Sequence, residues 1–110
     1  MKYLYISLLA LTIVSCKKDK VATIVDANCP DTISFNSEVL PIFQNNCTSC
    51  HSTGSTSPTL EDYATISLNA EVSIASMHGT PSLMPQGGPA LPDSVIQKVQ
   101  CWINQGKKNN

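Results

Sequence analysis

The chain has 110 residues, of which 14% are charged and 42% are hydrophobic, and its formal net charge is −1. A chain of this length forms one small domain, and this composition excludes both a disordered polyelectrolyte and a protein with several membrane spans. There is no arginine, and between Val21 and Gln105 a single lysine stands against seven acids. A nucleic-acid-binding surface needs clustered positive charge. The charge pattern therefore argues against nucleic acid as a partner.

Residues 1–15 predict an export signal. Lys2 gives a short basic start, and the apolar run 3–14 is shorter than the roughly 20 residues that span a bilayer. The six residues ending at Cys16 resemble a bacterial lipoprotein box, which implies cleavage before Cys16 and acylation of this cysteine. Because two or more acyl chains anchor a protein stably, we expect a membrane-anchored protein in the periplasm or at the cell surface. An ordinary secretory signal with an unmodified Cys16 is the alternative.

The rest of the chain divides by composition into three parts. Residues 16–28 carry clustered charge beside the lipid site and show no sustained hydrophobic period, which predicts a tether. Residues 29–106 are the predicted domain, and residues 107–110 are a polar tail that we expect to fray. A folded part this small usually needs a disulfide, a metal or a cofactor to complete its core.

A cysteine motif predicts the cofactor. Cys47, Cys50 and His51 form the pattern Cys-x-x-Cys-His, in which two thiols three positions apart add to the vinyl groups of a haem. The histidine is then the proximal ligand of the iron. A structural zinc site would need a fourth ligand from a second cluster, and a thiol redox centre would follow a strand in a βαβ unit that is not visible here. The motif therefore predicts covalently bound haem c with its iron.

The motifs around this site, taken in order, resemble those of a class I cytochrome c domain in the form of a small bacterial lipoprotein. The similarity covers about residues 34–106 and rests on segments 43–51, 58–60, 84–85 and 102–106. It implies an all-α fold in which three or four short helices wrap around one covalently bound haem.

The resemblance also implies roles for single residues. The carbonyl of Pro58 would accept a hydrogen bond from His51, and Leu60 would cover the haem. Phe43 would pack against the last helix and the haem edge, where Trp102 also lies.

Hydrophobic periodicity and turn residues predict the helices. We expect a first helix from Ser37, Val39 or Leu40 to about Asn46, a short helix over 61–68 and a weaker helical stretch over 69–77. The closing helix begins at Pro92 or Asp93 and has Gly106 at its C-terminal cap. At about 100° per residue, its apolar side chains fall within roughly 120° of arc, as expected for a core-facing stripe: Val95, Ile96, Val99, Trp102 and Ile103.

Three side chains compete for the sixth position on the iron. Met84 precedes Pro85 in a segment rich in turn formers, just before the last helix, where the resemblance implies the axial methionine. We therefore predict Met84, while Met77 and a pairing of His51 with His78 stay open.

Filled axial positions predict a function. Such a haem transfers electrons and does no bond chemistry, so we expect an electron carrier and not an enzyme. The acidic surface suggests redox partners with a basic docking patch. The alternatives are a haem peroxidase or gas sensor with a labile sixth ligand, and a docked electron-transfer module of a larger membrane oxidoreductase.

Two cysteines remain once lipid and haem have taken three. Cys29 and Cys101 are an even pair in an oxidising compartment, which predicts a disulfide between them. On the closing helix, Cys101 lies about 160° from the centre of the apolar stripe by the same 100° rule, so we expect it to face away from the haem and the core. The bridge would hold the segment before the first helix against the outer face of the last helix.

Overall fold

A computed structural model describes Cys29 and residues 32–110 of the chain. The described residues form no strand and four α-helices: α1 (Leu40–Asn46), α2 (Tyr63–Leu68), α3 (Ala70–Met77) and α4 (Asp93–Asn104). The helical fold class predicted from the sequence is confirmed. The predicted signal peptide, the tether and the lipid-bearing Cys16 lie outside the described residues. In the part that is described, no helix is long and apolar enough to cross a membrane.

The first helical segment begins earlier than predicted, because Ser34 caps it instead of a residue near Ser37. Ser34 Oγ accepts the N–H of Ser37 at 3.3 Å, and Glu38 Oε2 accepts the N–H of Ser34 at 2.9 Å. A π-helical turn, Phe35–Val39, follows and continues into α1. Pro41 has no N–H to close an α-helical bond to the carbonyl of Ser37, so a wider turn at this point costs no helical hydrogen bond.

α2 and α3 follow one another with only Asn69 between them. A capping box begins α2, in which Asp62 Oδ1 accepts the N–H of Thr65 at 2.9 Å and Thr65 Oγ1 accepts the N–H of Asp62 at 3.3 Å. α3 ends at a Schellman motif: Gly79 has a φ of +92°, and the N–H of Thr80 donates to the carbonyl of Ala75 at 2.9 Å. Both helices are therefore short but have well-defined ends.

α4 supplies the largest buried side chain of the core. Its residues Val99 and Trp102 are fully buried, as the apolar stripe predicts. The helix ends in a second Schellman motif, in which Gly106 has a φ of +91° and the N–H of Lys107 donates to the carbonyl of Trp102 at 3.0 Å. The core around α4 consists of Ile33, Phe35, Val39, Phe43, Leu60, Ile66, Ala70, Ile74, Met77, Ile96, Val99, Cys101 and Trp102.

The tail at 107–110 is ordered, so the expectation that it frays is wrong. The carbonyl of Lys108 accepts the indole N–H of Trp102 at 2.9 Å, and the carbonyl of Lys107 accepts the hydroxyl of Tyr63 at 2.8 Å. These acceptors are backbone groups, which every residue carries, so the polar composition of the tail gave no sign of them. The tail satisfies the polar atoms of two large aromatic residues.

Cys29 and Cys101 form a disulfide with their Cα atoms 5.5 Å apart, which meets the geometric condition for the predicted bridge. The surroundings of Cys101 differ from the expectation, because this residue is fully buried in the core. Ile33 is only 3% exposed and belongs to the same buried cluster as Cys101, and its N–H donates to Gln105 Oε1, just after α4, at 2.8 Å. The helical spacing of α4 did not predict this burial, because Cys101 lies outside the apolar stripe of the helix.

Candidate functional site

A cavity of about 460 Å³ is lined by the segment after α1, by α3 and by the segment before α4. Its volume is within the range of roughly 300–1,000 Å³ that is usual for small-molecule and cofactor sites. Most of the predicted haem-contacting residues line it although they come from separate segments: Cys47, Cys50, His51, Pro58, Leu60 and Met84. The fold therefore brings the sequence motifs together at one cavity.

Phe43 and Trp102, the other two predicted contacts, do not line this cavity. Both are fully buried in the core, where Trp102 lies with its ring centre 5.5 Å from that of Phe35. Phe43 is linked to the motif through its backbone, since its carbonyl accepts the N–H of Cys47 at 2.8 Å. The structure thus gives Phe43 a supporting position beside the first cysteine, and direct contact of either residue with a haem stays a prediction.

The cysteine motif forms a compact turn after α1. The carbonyl of Cys47 accepts the N–H of Cys50 at 3.1 Å and that of His51 at 2.8 Å, which is the hydrogen bonding of a short helical turn. The carbonyl of His51 in turn accepts the N–H of Leu60 at 2.8 Å. These bonds join the two ends of the 51–60 loop, so that the thiols, the imidazole and Leu60 all reach the cavity.

The imidazole of His51 is oriented by Pro58. His51 Nδ1 lies 2.8 Å from the carbonyl oxygen of Pro58, the contact that the resemblance implies. A carbonyl oxygen can only accept, so Nδ1 donates the proton and Nε2 keeps its lone pair. This tautomer leaves Nε2 available to a metal, and a hydrogen bond of this kind makes the imidazole a more basic ligand.

The first cysteine of the motif is partly buried. Burial raises the pKa of the Cys47 thiol to about 11, so the group is protonated at neutral pH. Catalytic and redox cysteines have the opposite property, a pKa below the ordinary value that keeps the thiolate populated. The raised pKa of Cys47 therefore argues against a thiol redox centre at this residue.

Of the three candidate sixth ligands, Met77, His78 and Met84, the structure places two at the cavity. Met84 lines it, and the backbone N–H of Met84 donates to the carbonyl of Ser76 at 3.0 Å. Met77 lines it as well. His78 is exposed and is not among the lining residues, since it follows the last turn of α3. The geometry therefore supports a thioether as the sixth ligand over a second imidazole.

Sequence reasoning missed a polar face of α3. Asn69, Ser73 and Ser76 line the cavity together with Val72, at the spacing of three to four residues that puts side chains on one face of a helix. That spacing is visible in the sequence, but small polar residues at such positions normally indicate a solvated face. The cavity therefore has polar lining residues along α3.

The donor chemistry of the cavity fits a c-type haem. Two cysteines, an imidazole with a free Nε2 and a thioether from another segment are the groups that would attach a haem and ligate its iron on both sides. Among the described residues, no group of three or more His, Cys, Asp or Glu side chains is arranged to hold a metal ion.

Comparison of the chain with protein-family models, with curated proteins and with solved structures gives no match.

Proposed function

We propose that the protein is an exported, lipid-anchored cytochrome of c type, with one haem, that transfers single electrons between redox partners. The observation that supports this proposal best is the shared cavity, to which Cys47, Cys50 and His51 come from one segment and Met84 from another. The two thiols would attach the haem, and His51 and Met84 would ligate its iron. When bound, a haem with these axial ligands supplies one-electron transfer at a higher potential than one held by two imidazoles.

The chain's own residues prepare the site for this role. Pro58 fixes the tautomer and the direction of the His51 ring, so this ligand needs little rearrangement when the cofactor is attached. The carbonyl of Ser76 holds the backbone of Met84 beside the cavity. With a ligand from each of two segments, a bound haem iron would have no open position for oxygen or peroxide, and for this reason we favour an electron carrier over a peroxidase or gas sensor.

The redox partner would recognise exposed carboxylates of the domain. Two of the described lysines are paired with glutamates, Lys98 with Glu38 at 3.6 Å and Lys107 with Glu71 at 2.8 Å. The carboxylates outside these two pairs include Glu61, Asp62 and Asp93, which are exposed. A redox partner with a basic patch would fit them, and its rate of association would fall as salt is added.

The attachment of haem is tested by changing the motif cysteines. The mature domain would be produced in a bacterial host with the c-type attachment machinery, as wild type, as Cys47→Ala/Cys50→Ala and as Ser49→Ala. We expect haem staining of the denatured protein for wild type and for Ser49→Ala, which changes an exposed position inside the motif. The double cysteine variant should show none. Haem staining that survives loss of both cysteines, or is missing from the wild type, would refute the proposal.

The anchor is tested separately, because Cys16 lies outside the described residues. Cys16→Ser should move the exported protein from the membrane fraction to the soluble fraction, since the acyl chains would be lost. Unchanged membrane association would show that something other than lipid on Cys16 holds the protein.

A further inference from the structure

Two thioethers line the same cavity, although a haem would need only one. Met77 is the last residue of α3 and is 4% exposed, whereas Met84 is half-buried in the segment before α4. The N–H of Met84 donates at 3.0 Å to the carbonyl of Ser76, the residue directly before Met77. The two methionines therefore start from neighbouring stretches of backbone, and both residues line the cavity.

The backbones of both methionines are held by hydrogen bonds. Met77 lies in the Schellman motif that ends α3. In this motif the N–H of His78 donates to the carbonyl of Ile74 at 3.2 Å, and the N–H of Thr80 donates to the carbonyl of Ala75 at 2.9 Å. Met84 lies shortly before a turn in which Gly87 and Gly88 have left-handed φ values of +86° and +61°. A methionine side chain has three rotatable bonds, so the sulfur of Met77 can reach several positions from a fixed backbone.

We propose that Met77 is a reserve ligand of the iron, which takes the sixth position when the thioether of Met84 is removed. This inference rests on the proposed function. In the exchange, the bond between iron and the Met84 sulfur breaks and a bond to the Met77 sulfur forms, with no change of oxidation state and no movement of a proton. The iron consequently stays closed to small ligands without Met84. The competing explanation is that Met77 only fills the core.

Leucine substitutions separate these two explanations. Leucine and methionine have similar volumes, so each exchange preserves packing while it removes the sulfur. The set consists of the wild type, Met84→Leu, Met77→Leu and the double variant, each produced with its haem. The mass of the denatured protein first establishes whether haem is attached. Two readouts then follow: the long-wavelength charge-transfer band of a thioether bound to ferric iron, and the affinity of the reduced protein for carbon monoxide.

We expect both single variants to keep the charge-transfer band and to bind carbon monoxide weakly. The double variant should lose the band and bind carbon monoxide about tenfold or more tightly, because apparent affinity rises with the fraction of open iron. If Met84→Leu alone loses the band and binds carbon monoxide as tightly as the double variant, the inference is wrong while the proposed function stands. A band that persists in the double variant also overturns it. A wild type without attached haem would instead refute the proposed function itself, and the inference with it.

Discussion

The side of the molecule around α4 and the side around the cavity are built in contrasting ways. Around α4, a disulfide, the segment after Cys29 and the C-terminal residues cover a helix whose residues Val99, Cys101 and Trp102 are fully buried. The cavity is lined by short elements and by segments rich in serine and proline, including the stretch around Met84. In the first region the chain covers its own apolar surface, and in the second it surrounds a space.

This contrast shows where such a small domain obtains its stability before any cofactor is considered. A domain of this size buries too little apolar surface to be more than marginally stable, so a covalent crosslink and a cofactor both have large effects. Here the crosslink belongs to the packed side, and the residues that we propose to bind haem belong to the other. We therefore expect substitutions on the α4 side to act on stability, and substitutions that remove cavity-lining ligands to act on the haem.

The contrast would break most clearly at Trp102. Trp102→Ala should lower the free energy of unfolding by about 5 kcal/mol, at the upper end of the range for such truncations, because it leaves a large cavity and removes a hydrogen bond to Lys108. Leu68→Ala, at a position that is 82% exposed, is the control and should change it by less than about 0.5 kcal/mol. Urea unfolding measures both. Equal effects of the two substitutions would mean that the core does not have its centre at α4.

Removal of the disulfide should have the next largest effect. Cys29 and Cys101 are 72 positions apart, and the chain-entropy relation gives about 4 kcal/mol for a loop of this length. Cys29→Ala should therefore lower the urea midpoint strongly, and a reductant should lower that of the wild type but not that of the variant. If the reductant leaves the wild type unchanged, the bridge contributes nothing to stability.

A smaller effect is expected where the C-terminal tail meets the first helical segment. Asn110 Oδ1 accepts the N–H of Phe35 at 2.9 Å, an otherwise free donor at the start of a helix. Asn110→Ala should cost about 1 kcal/mol of unfolding free energy, the usual value for a single hydrogen bond of this type. Asn109→Ala changes the neighbouring exposed asparagine and is the matched control. A loss of the same size in both variants would show that the contact of Asn110 with Phe35 is not its cause.

The smallest effect should come from the cap of α2. The backbone N–H of Thr65, followed by its hydroxyl, holds the pKa of Asp62 below its usual range. A carboxyl whose pKa is lower in the folded state adds stability above the unfolded-state pKa and loses it as the pH falls through the folded-state pKa. Acidification should thus weaken the wild type slightly more than Asp62→Asn, because asparagine caps a helix without titrating. Thermal melting would be followed as the pH falls below the ordinary carboxyl pKa. An equal loss of stability in the two proteins would contradict this role of Asp62.

Features with a strong local signal were predictable from the sequence. The apolar stripe of α4 and the glycine after its last turn gave the position of that helix, and Asp93–Asn104 is where it lies. The pairing of Cys29 with Cys101 followed by elimination, once the predicted lipid site and haem motif had been assigned the other three cysteines. The helix thus rested on one short pattern with few alternative meanings, whereas the disulfide rested on the count of the remaining cysteines.

Features that depend on tertiary contacts could not be predicted. The burial of Cys101 depends on residues outside α4 that pack against it. The order of the tail depends on its hydrogen bonds to Trp102, which belongs to α4, and to Tyr63, which is distant in sequence. The presence of Met77 at the cavity is likewise a matter of how separate segments come together. Hydrophobic periodicity describes one element at a time and contains no information about such contacts.

The proposed function depends above all on covalent haem at the cavity. The mass of the intact wild-type protein tests this attachment most directly. Mature protein from a host with the c-type attachment machinery would be denatured in acid and acetone, which removes haem that is not covalently bound, and then weighed by mass spectrometry. We predict the mass of the processed polypeptide plus one haem, with Cys47 and Cys50 as the attachment points. A mass equal to that of the polypeptide alone would contradict the assignment of the cavity as a haem site.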